Sequence, residues 1–164
     1  GAAKLVAERR GALAVEKGVR FVSARAFGLV GPRLPLDGPF AIGNFLGDAL
    51  AGRMADIHGD GTPVRSWMHA ADLAAWCWTL LARGTPGSAY NVGSEEPLAI
   101  AEAAAQVAAL AVPPVPVVRR RNPVQGVVAS RYVPDVTRAR EELGLDVWIP
   151  FDAAIRRTWE WLRQ

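Results

Sequence analysis

Apolar residues along the 164-residue chain recur with two periods, and the switches between them outline the secondary structure. Over 2–17, Ala, Leu and Val return at spacings of three and four among Lys, Glu and Arg, which predicts a helix closed near Gly18. The stretch "VRFVSARAFGLVG" (19–31) alternates larger apolar residues with small or charged ones, as a strand does, and Gly31-Pro32 ends it. "RLPLDGPF" reads as a loop into a helix over 41–52. Asp56–His58 is a short extended piece, "GDGTP" a turn, and 64–70 another strand. Asp72 is expected to accept free N–H groups at the start of a helix over 73–83, which stops at Gly84. A strand at 88–93 follows, then a helix over 99–110 entered after Pro97, an extended stretch at 115–121 and an irregular 122–134. The short helix "TRAREELG" starts from Asp135 or Thr137. The final helix, "DAAIRRTWEWLRQ", puts Trp159 and Leu162 on one face and turns Arg156, Arg157 and Glu160 to water.

Strands separated by helices indicate a mixed α/β chain, with too few long apolar strands for a complete doubly wound sheet. No Gly-x-Gly-x-x-Gly follows a strand, so a nucleotide-cofactor site is not complete within these residues. The first helix also begins without a Ser, Thr, Asp or Asn cap. The expectation is that this is part of a larger protein.

Composition narrows the partners. With 51% hydrophobic and 21% charged residues the chain is globular and can bury a sizeable core. A net charge of +3 suits an anionic small molecule but not nucleic acid, which favours a dense basic face. The longest apolar run, "IAEAAAQVAALAVPPVPVV", is interrupted by Glu102 and Gln106 and ends in prolines, so no membrane span is expected. No signal-peptide pattern precedes it. Cys77 stands alone, which excludes a disulfide framework, fits a reducing cytoplasm and reads as a small buried residue. His58 and His69 are not spaced as metal ligands and no carboxylate set completes a site, so no metal is expected.

The most informative segment is "GDGTPVRSWMHAADLA". Two glycines around Asp60 permit a tight turn, and Arg65 on the following strand could hold a phosphate with two parallel N–H bonds. On chemistry alone a surface turn with an exposed arginine is the favoured reading. "RAFGLVGPR" could bring backbone N–H groups at a strand end to a ligand. "VRRRNP" (118–123) reads as solvated charge, and "SRYVPD" sets Arg131 beside an aromatic residue, at the surface or on a phosphate.

Taken in order, these segments resemble the extended short-chain dehydrogenase/reductase superfamily, the NAD-dependent nucleotide-sugar epimerases and dehydratases. "AKLVAE" resembles the end of the Tyr-x-x-x-Lys helix, and "RAFGLVGPR" the Arg-x-Phe-Asn-x-Tyr-Gly-Pro strand. "GDGTPVRSWMHAADLA" resembles the Gly-Asp-Gly…Arg…His/Tyr-x-x-Asp-Leu signature. "AYNVGSEEPLAI" resembles the Tyr-Asn-Val-Gly strand and "RYVPDVTRAREELGL" the late Asp…Ala…Leu-Gly helix. The resemblance implies the C-terminal part of a Rossmann-type NAD(P)-binding fold plus a small mixed α/β substrate-binding domain. Residues 1–32 would be the tail of the dinucleotide domain and 33–164 mainly the substrate region, some of its elements returning to the sheet.

By the same resemblance, Lys4 would bind the nicotinamide ribose and depress the pKa of the catalytic tyrosine. That tyrosine would precede Gly1 and is not among these residues, nor is the glycine-rich loop. Phe27 would lie near the nicotinamide of NAD. Arg65 and Arg131 would contact the diphosphate of a nucleotide-diphosphate sugar, with Ala41 and Asn44 near its base. Gly28 and Val30 depart from the family's Asn and Tyr, which leaves the sugar unassigned. The chain is expected to be the substrate-binding portion of such an enzyme, inactive alone, with a partner N-terminal half and a homodimer contact through the first helix. The other open reading is a non-catalytic nucleotide-binding or regulatory module built on the same half-fold.

Overall fold

A computed structural model describes residues 1–164 as six helices and nine short strands. The mixed α/β class follows from the sequence pattern, but the two longest predicted strands do not run unbroken. Residues 19–31 form β1 (Ser23–Ala26) and β2 (Leu29–Val30), and 64–70 form β4 (Val64–Arg65) and β5 (Met68–His69). β1 pairs in parallel with β6 (Ala89–Val92), Ser23 opposite Ala89, whereas β2 pairs in parallel with β5, Leu29 opposite Met68. The chain changes partner at Phe27-Gly28 and again at Ser66-Trp67. Gly28 permits the crossing: a Cβ there would lie 2.2 Å from the Ser66 carbonyl oxygen. The asparagine that the resemblance puts at this position would have no room on this backbone. The other departure, Val30, is buried in the core.

Two hydrophobic clusters divide the interior. One gathers Met68, Trp76, Leu80, Tyr90, Val92, Val136 and Leu143 around the β1–β6 pair. It joins α3 (Ala70–Arg83), which crosses from β5 to β6, and α5 (Thr137–Leu143). The larger cluster lies among α2 (Ala41–Leu50), α4 (Ile100–Ala108) and α6 (Phe151–Leu162). It is backed by the parallel pair of β3 (Ala55–Ile57) with β8 (Val117–Arg119). Between the clusters, β4 runs antiparallel to β7 (Leu98–Ala99) and parallel to β9 (Arg131–Tyr132). Strand β9 falls in the stretch read as irregular; two residues are too short to show an alternation.

Other local expectations need correction. Asp72 does not cap α3. The N-cap is His69, whose Nδ1 accepts the Ala71 N–H at 3.1 Å. The Asp72 carboxylate, buried a turn further on, accepts the Ile149 N–H at 3.0 Å and ties α3 to the chain entering α6. Cys77 is exposed rather than buried, because α3 turns Trp76 and Leu80 inward and leaves Cys77 and Trp78 outside. Helix α1 (Ala2–Val15) has the predicted extent within two residues but buries no side chain. The final helix buries Trp159 and turns Arg156, Arg157 and Glu160 outward as its pattern predicts. No helix is long and apolar enough to cross a membrane.

Candidate functional site

A cleft of about 1620 Å³ opens over the larger cluster, at the C-terminal ends of β1 and β2 and beside β3 and β4. The carboxyl ends of parallel strands leave backbone and loop groups unpaired, so ligands in open α/β sheets collect there. The "GDG" turn borders it. Asp60 Oδ1 accepts from both the Thr62 N–H (2.9 Å) and the Thr62 hydroxyl (2.8 Å), and these bonds hold its carboxyl below the ordinary aspartate range. Gly61 completes the turn with φ +77°, a left-handed conformation that favours glycine.

Four of the six sequence-predicted site residues, Phe27, Ala41, Asn44 and Arg65, line this cleft. Phe27, just past β1, stacks on Tyr132 with ring centroids 4.6 Å apart. Asn44, in the first turns of α2, has its side-chain Oδ1 buried without a hydrogen-bond partner. Such a buried acceptor carries a desolvation cost until something donates to it. Ser66 Oγ, also in the cleft wall, is in the same state.

Arg65 is the site's best-defined cation. Its Nη1 donates to the Val64 carbonyl (2.8 Å) and the Ser130 carbonyl (3.1 Å), and Nη1 and Nη2 both reach the Ser130 hydroxyl at 3.3 Å. Every acceptor is neutral, so the guanidinium charge is held in place without being cancelled. Two of the cleft's other arginines contrast with it; the third, Arg33, makes no side-chain hydrogen bond that would fix it. Arg120 grips Asp56 through Nε and Nη2 at 2.7–3.0 Å, and Arg53 grips Asp48 the same way at 2.9–3.1 Å. The Arg120 guanidinium keeps the Asp56 carboxyl below its ordinary range.

Arg131 and Lys4 are not brought into the cleft lining. Arg131 is exposed on β9, opposite Val64 in the register and next to Tyr132, which does line the cleft. Lys4 is exposed on the first turn of α1. No group of three or more His, Cys, Asp or Glu side chains is arranged to hold a metal. Several residues in or beside the cleft were not singled out as site residues in the sequence. Arg33, the one non-glycine residue with positive φ (65°), borders the cleft after Gly31-Pro32. Arg120 sits inside a run read as solvated charge, and Tyr132 and Ser130 inside a stretch read as irregular. Only the pairing of β9 with β4 makes them part of the site.

A sequence model of the NAD dependent epimerase/dehydratase family matches residues 1–93, more than half of the chain. The chain belongs to that family. Among curated members, it is 28% identical over 120 residues to a probable dTDP-glucose 4,6-dehydratase of Sinorhizobium fredii, covering 70% of this chain and 34% of that protein. It is 27% identical over 135 residues to UDP-glucuronic acid decarboxylase 5 of Arabidopsis thaliana, covering 82% and 38% respectively. Among solved structures, the epimerase Mth375 of Methanothermobacter thermautotrophicus superposes with a TM-score of 0.85 at 26% identity, over 98% of this chain and 48% of that one. The UDP-glucose 4-epimerase of Thermotoga maritima, solved with UDP-glucose, superposes at 0.87 with 22% identity, a likeness of fold, over 99% and 52%. The chain thus spans about a third of the length of these curated relatives and about half of these solved chains. The epimerase/dehydratase match includes α1 to α3 and β1 to β6, and with them Lys4, Phe27, Ala41, Asn44 and Arg65.

Proposed function

We propose that this chain is the substrate-binding portion of an NAD-dependent nucleotide-sugar epimerase or dehydratase, and that its cleft takes a nucleotide-diphosphate sugar. The observation that carries the reading is Arg65: a fixed guanidinium in a large cleft, bonded only to neutral acceptors. A cation so placed favours a dianionic diphosphate over a neutral ligand. The unpartnered Asn44 Oδ1 supports a hydrogen-bonding group nearby, assigned here with Ala41 to the nucleobase end. Arg131, exposed beside the cleft, is assigned a second phosphate contact.

NAD, when bound, would supply the hydride acceptor for oxidation of a sugar carbinol to a ketone, the hydroxyl proton going to the family's catalytic tyrosine. Two residues of this chain are assigned to it: Phe27, which borders the cleft, and Lys4, which lies outside the cleft lining and is assigned by its match to the family helix alone. Phe27 lies at the carboxyl end of parallel β1, where the nicotinamide end of a dinucleotide is accommodated. Lys4 is assigned the nicotinamide ribose and the lowering of a neighbouring phenol's pKa, on its match to the family helix. No Gly-x-Gly-x-x-Gly and no tyrosine four positions before a lysine occur in the 164 residues. These residues alone are therefore expected to bind without turnover. In the same reading, β1, β6 and the helices packed on them belong to the dinucleotide domain, and the α2–α4–α6 cluster to the substrate domain. Leu5, Val6 and Leu13, exposed on α1, would form the homodimer contact.

The test is thermal stabilisation by UDP-glucose and dTDP-glucose. A ligand at about 100 times its Kd stabilises by about 2.7 kcal/mol, which raises Tm by roughly 5–10 °C in a chain of this size. Arg65→Ala is expected to remove most of that shift. No shift with any nucleotide sugar would overturn the reading.

A further inference from the structure

Arg65 reaches its acceptors with only one edge of its guanidinium. Nη1 and Nη2 together meet the Ser130 hydroxyl, each at 3.3 Å, and Nη1 also meets the Ser130 and Val64 carbonyls. No hydrogen bond within the protein uses Nε, and one Nη2 hydrogen is left over, since that atom has two and donates once. The Nε–Nη2 edge is the one with which other arginines of this chain hold carboxylates. Arg25 uses it on Glu8 (2.9 and 2.5 Å), Arg53 on Asp48, and Arg120 on Asp56. On Arg65 the same fork is open.

We infer that Ser130 is a positioning residue: its hydroxyl occupies the far end of the Arg65 guanidinium and so turns the Nε–Nη2 fork towards a ligand oxyanion. This rests on the reading of the cleft as a diphosphate site. The backbone supports it. The Ser130 carbonyl also accepts the Val64 N–H at 2.8 Å, so the parallel pairing of β4 with β9 fixes Ser130 relative to Arg65 before any ligand arrives. The Tyr132 ring, two residues on, stacks on Phe27 and pins β9 from its other end. A guanidinium held at one edge keeps its plane, and a bidentate bond needs that plane defined. Without the hydroxyl only Nη1 stays tethered, to the Val64 and Ser130 carbonyls, so the guanidinium can pivot about that atom, and ordering its plane again weakens binding.

UDP is the probe and uridine the control, measured by calorimetry on the full 164-residue chain. Ser130→Ala is expected to weaken UDP binding about tenfold, the scale of one charged hydrogen bond, with uridine binding and the unliganded Tm unchanged. Ser130→Thr keeps the hydroxyl and is expected to restore wild-type UDP affinity to within about twofold. Because Ser130 acts through Arg65, Ser130→Ala added to Arg65→Ala is expected to change UDP affinity by less than about twofold more. Full additivity of the two variants, unchanged UDP binding in Ser130→Ala, or equal losses for UDP and uridine would overturn the positioning role while leaving the diphosphate site standing. Failure of the unmodified chain to bind UDP or any nucleotide sugar would instead remove the diphosphate reading, and the role of Ser130 with it.

Discussion

Gly28 shows how a single missing side chain shapes the site. Its carbonyl accepts the Met68 N–H at 2.9 Å, and the Ser66 carbonyl passes where its Cβ would stand, 2.2 Å away. That contact is with backbone, which cannot rotate aside. Gly28→Ala is therefore expected to destabilise the fold by about 1–3 kcal/mol, the usual cost of forced overpacking, read as a lower midpoint in urea. An unchanged midpoint would mean that the β1–β2 link shifts freely. The same closeness sets Ser66 against the β1–β2 link at the cleft wall. At this scale Arg65 differs from Arg53 and Arg120 in having no carboxylate, and from Arg33 in being held by neutral acceptors, and the two together mark it as the residue left for a ligand.

Helix α3 is held at its start by an unusual cap. His69 accepts the Ala71 N–H through Nδ1, so this nitrogen is unprotonated, and the opposite Nε2 is buried without a partner. Burial depresses the His69 pKa below 6.5. The Arg157 charge on α6 adds to the depression, while the Asp72 carboxylate on α3 opposes it. The folded state thus keeps His69 neutral at pH values where the unfolded chain's histidine takes up a proton. Stability from this group is present above pH 6.5 and is lost as pH falls below it. His69→Asn keeps a capping oxygen but cannot titrate. Its Tm is expected to fall less than the wild type's between about pH 7.5 and about pH 5.5, the range over which an ordinary histidine gains its proton. Equal slopes would show that other groups carry the dependence. The carboxylates held low by their hydrogen bonds, Asp56, Asp60 and Glu142 among them, add acid sensitivity of the same sign nearer the ordinary carboxylate range.

Across the whole molecule, apolar surface is left uncovered on one side. Helix α3 exposes Trp78 (71%) and Leu81 (68%) in line with exposed Ala71, Ala74, Ala75 and Ala82, a stripe at helical spacing. Helix α1 buries nothing, and β1 is paired on one edge only. Parallel sheets are normally covered on both faces, and an open edge or an apolar stripe invites association. In a solution of this chain alone, a second copy is the expected cover. Elution volume is therefore expected to depend on concentration, and Trp78→Glu with Leu81→Lys to shift the chain towards monomer. A compact monomer at all concentrations would contradict this.

Helix positions, the Gly-Asp-Gly turn, the mixed α/β class and the family were legible in the sequence, because periodicity, turn chemistry and motif order are properties of neighbouring residues. Lys4, Phe27, Ala41, Asn44, Arg65 and Arg131 could be singled out the same way, and four of them meet in one cleft. What only the tertiary structure decided depends on residues far apart in the chain. The strands exchange partners at Gly28, Asp72 bonds to Ile149 rather than to its own helix start, and Cys77 turns outward. Most of all, a two-residue strand brings Ser130 across 65 positions to Arg65. Local pattern sets which segments coil or extend; side-chain partners are chosen by packing, and no sequence window contains them.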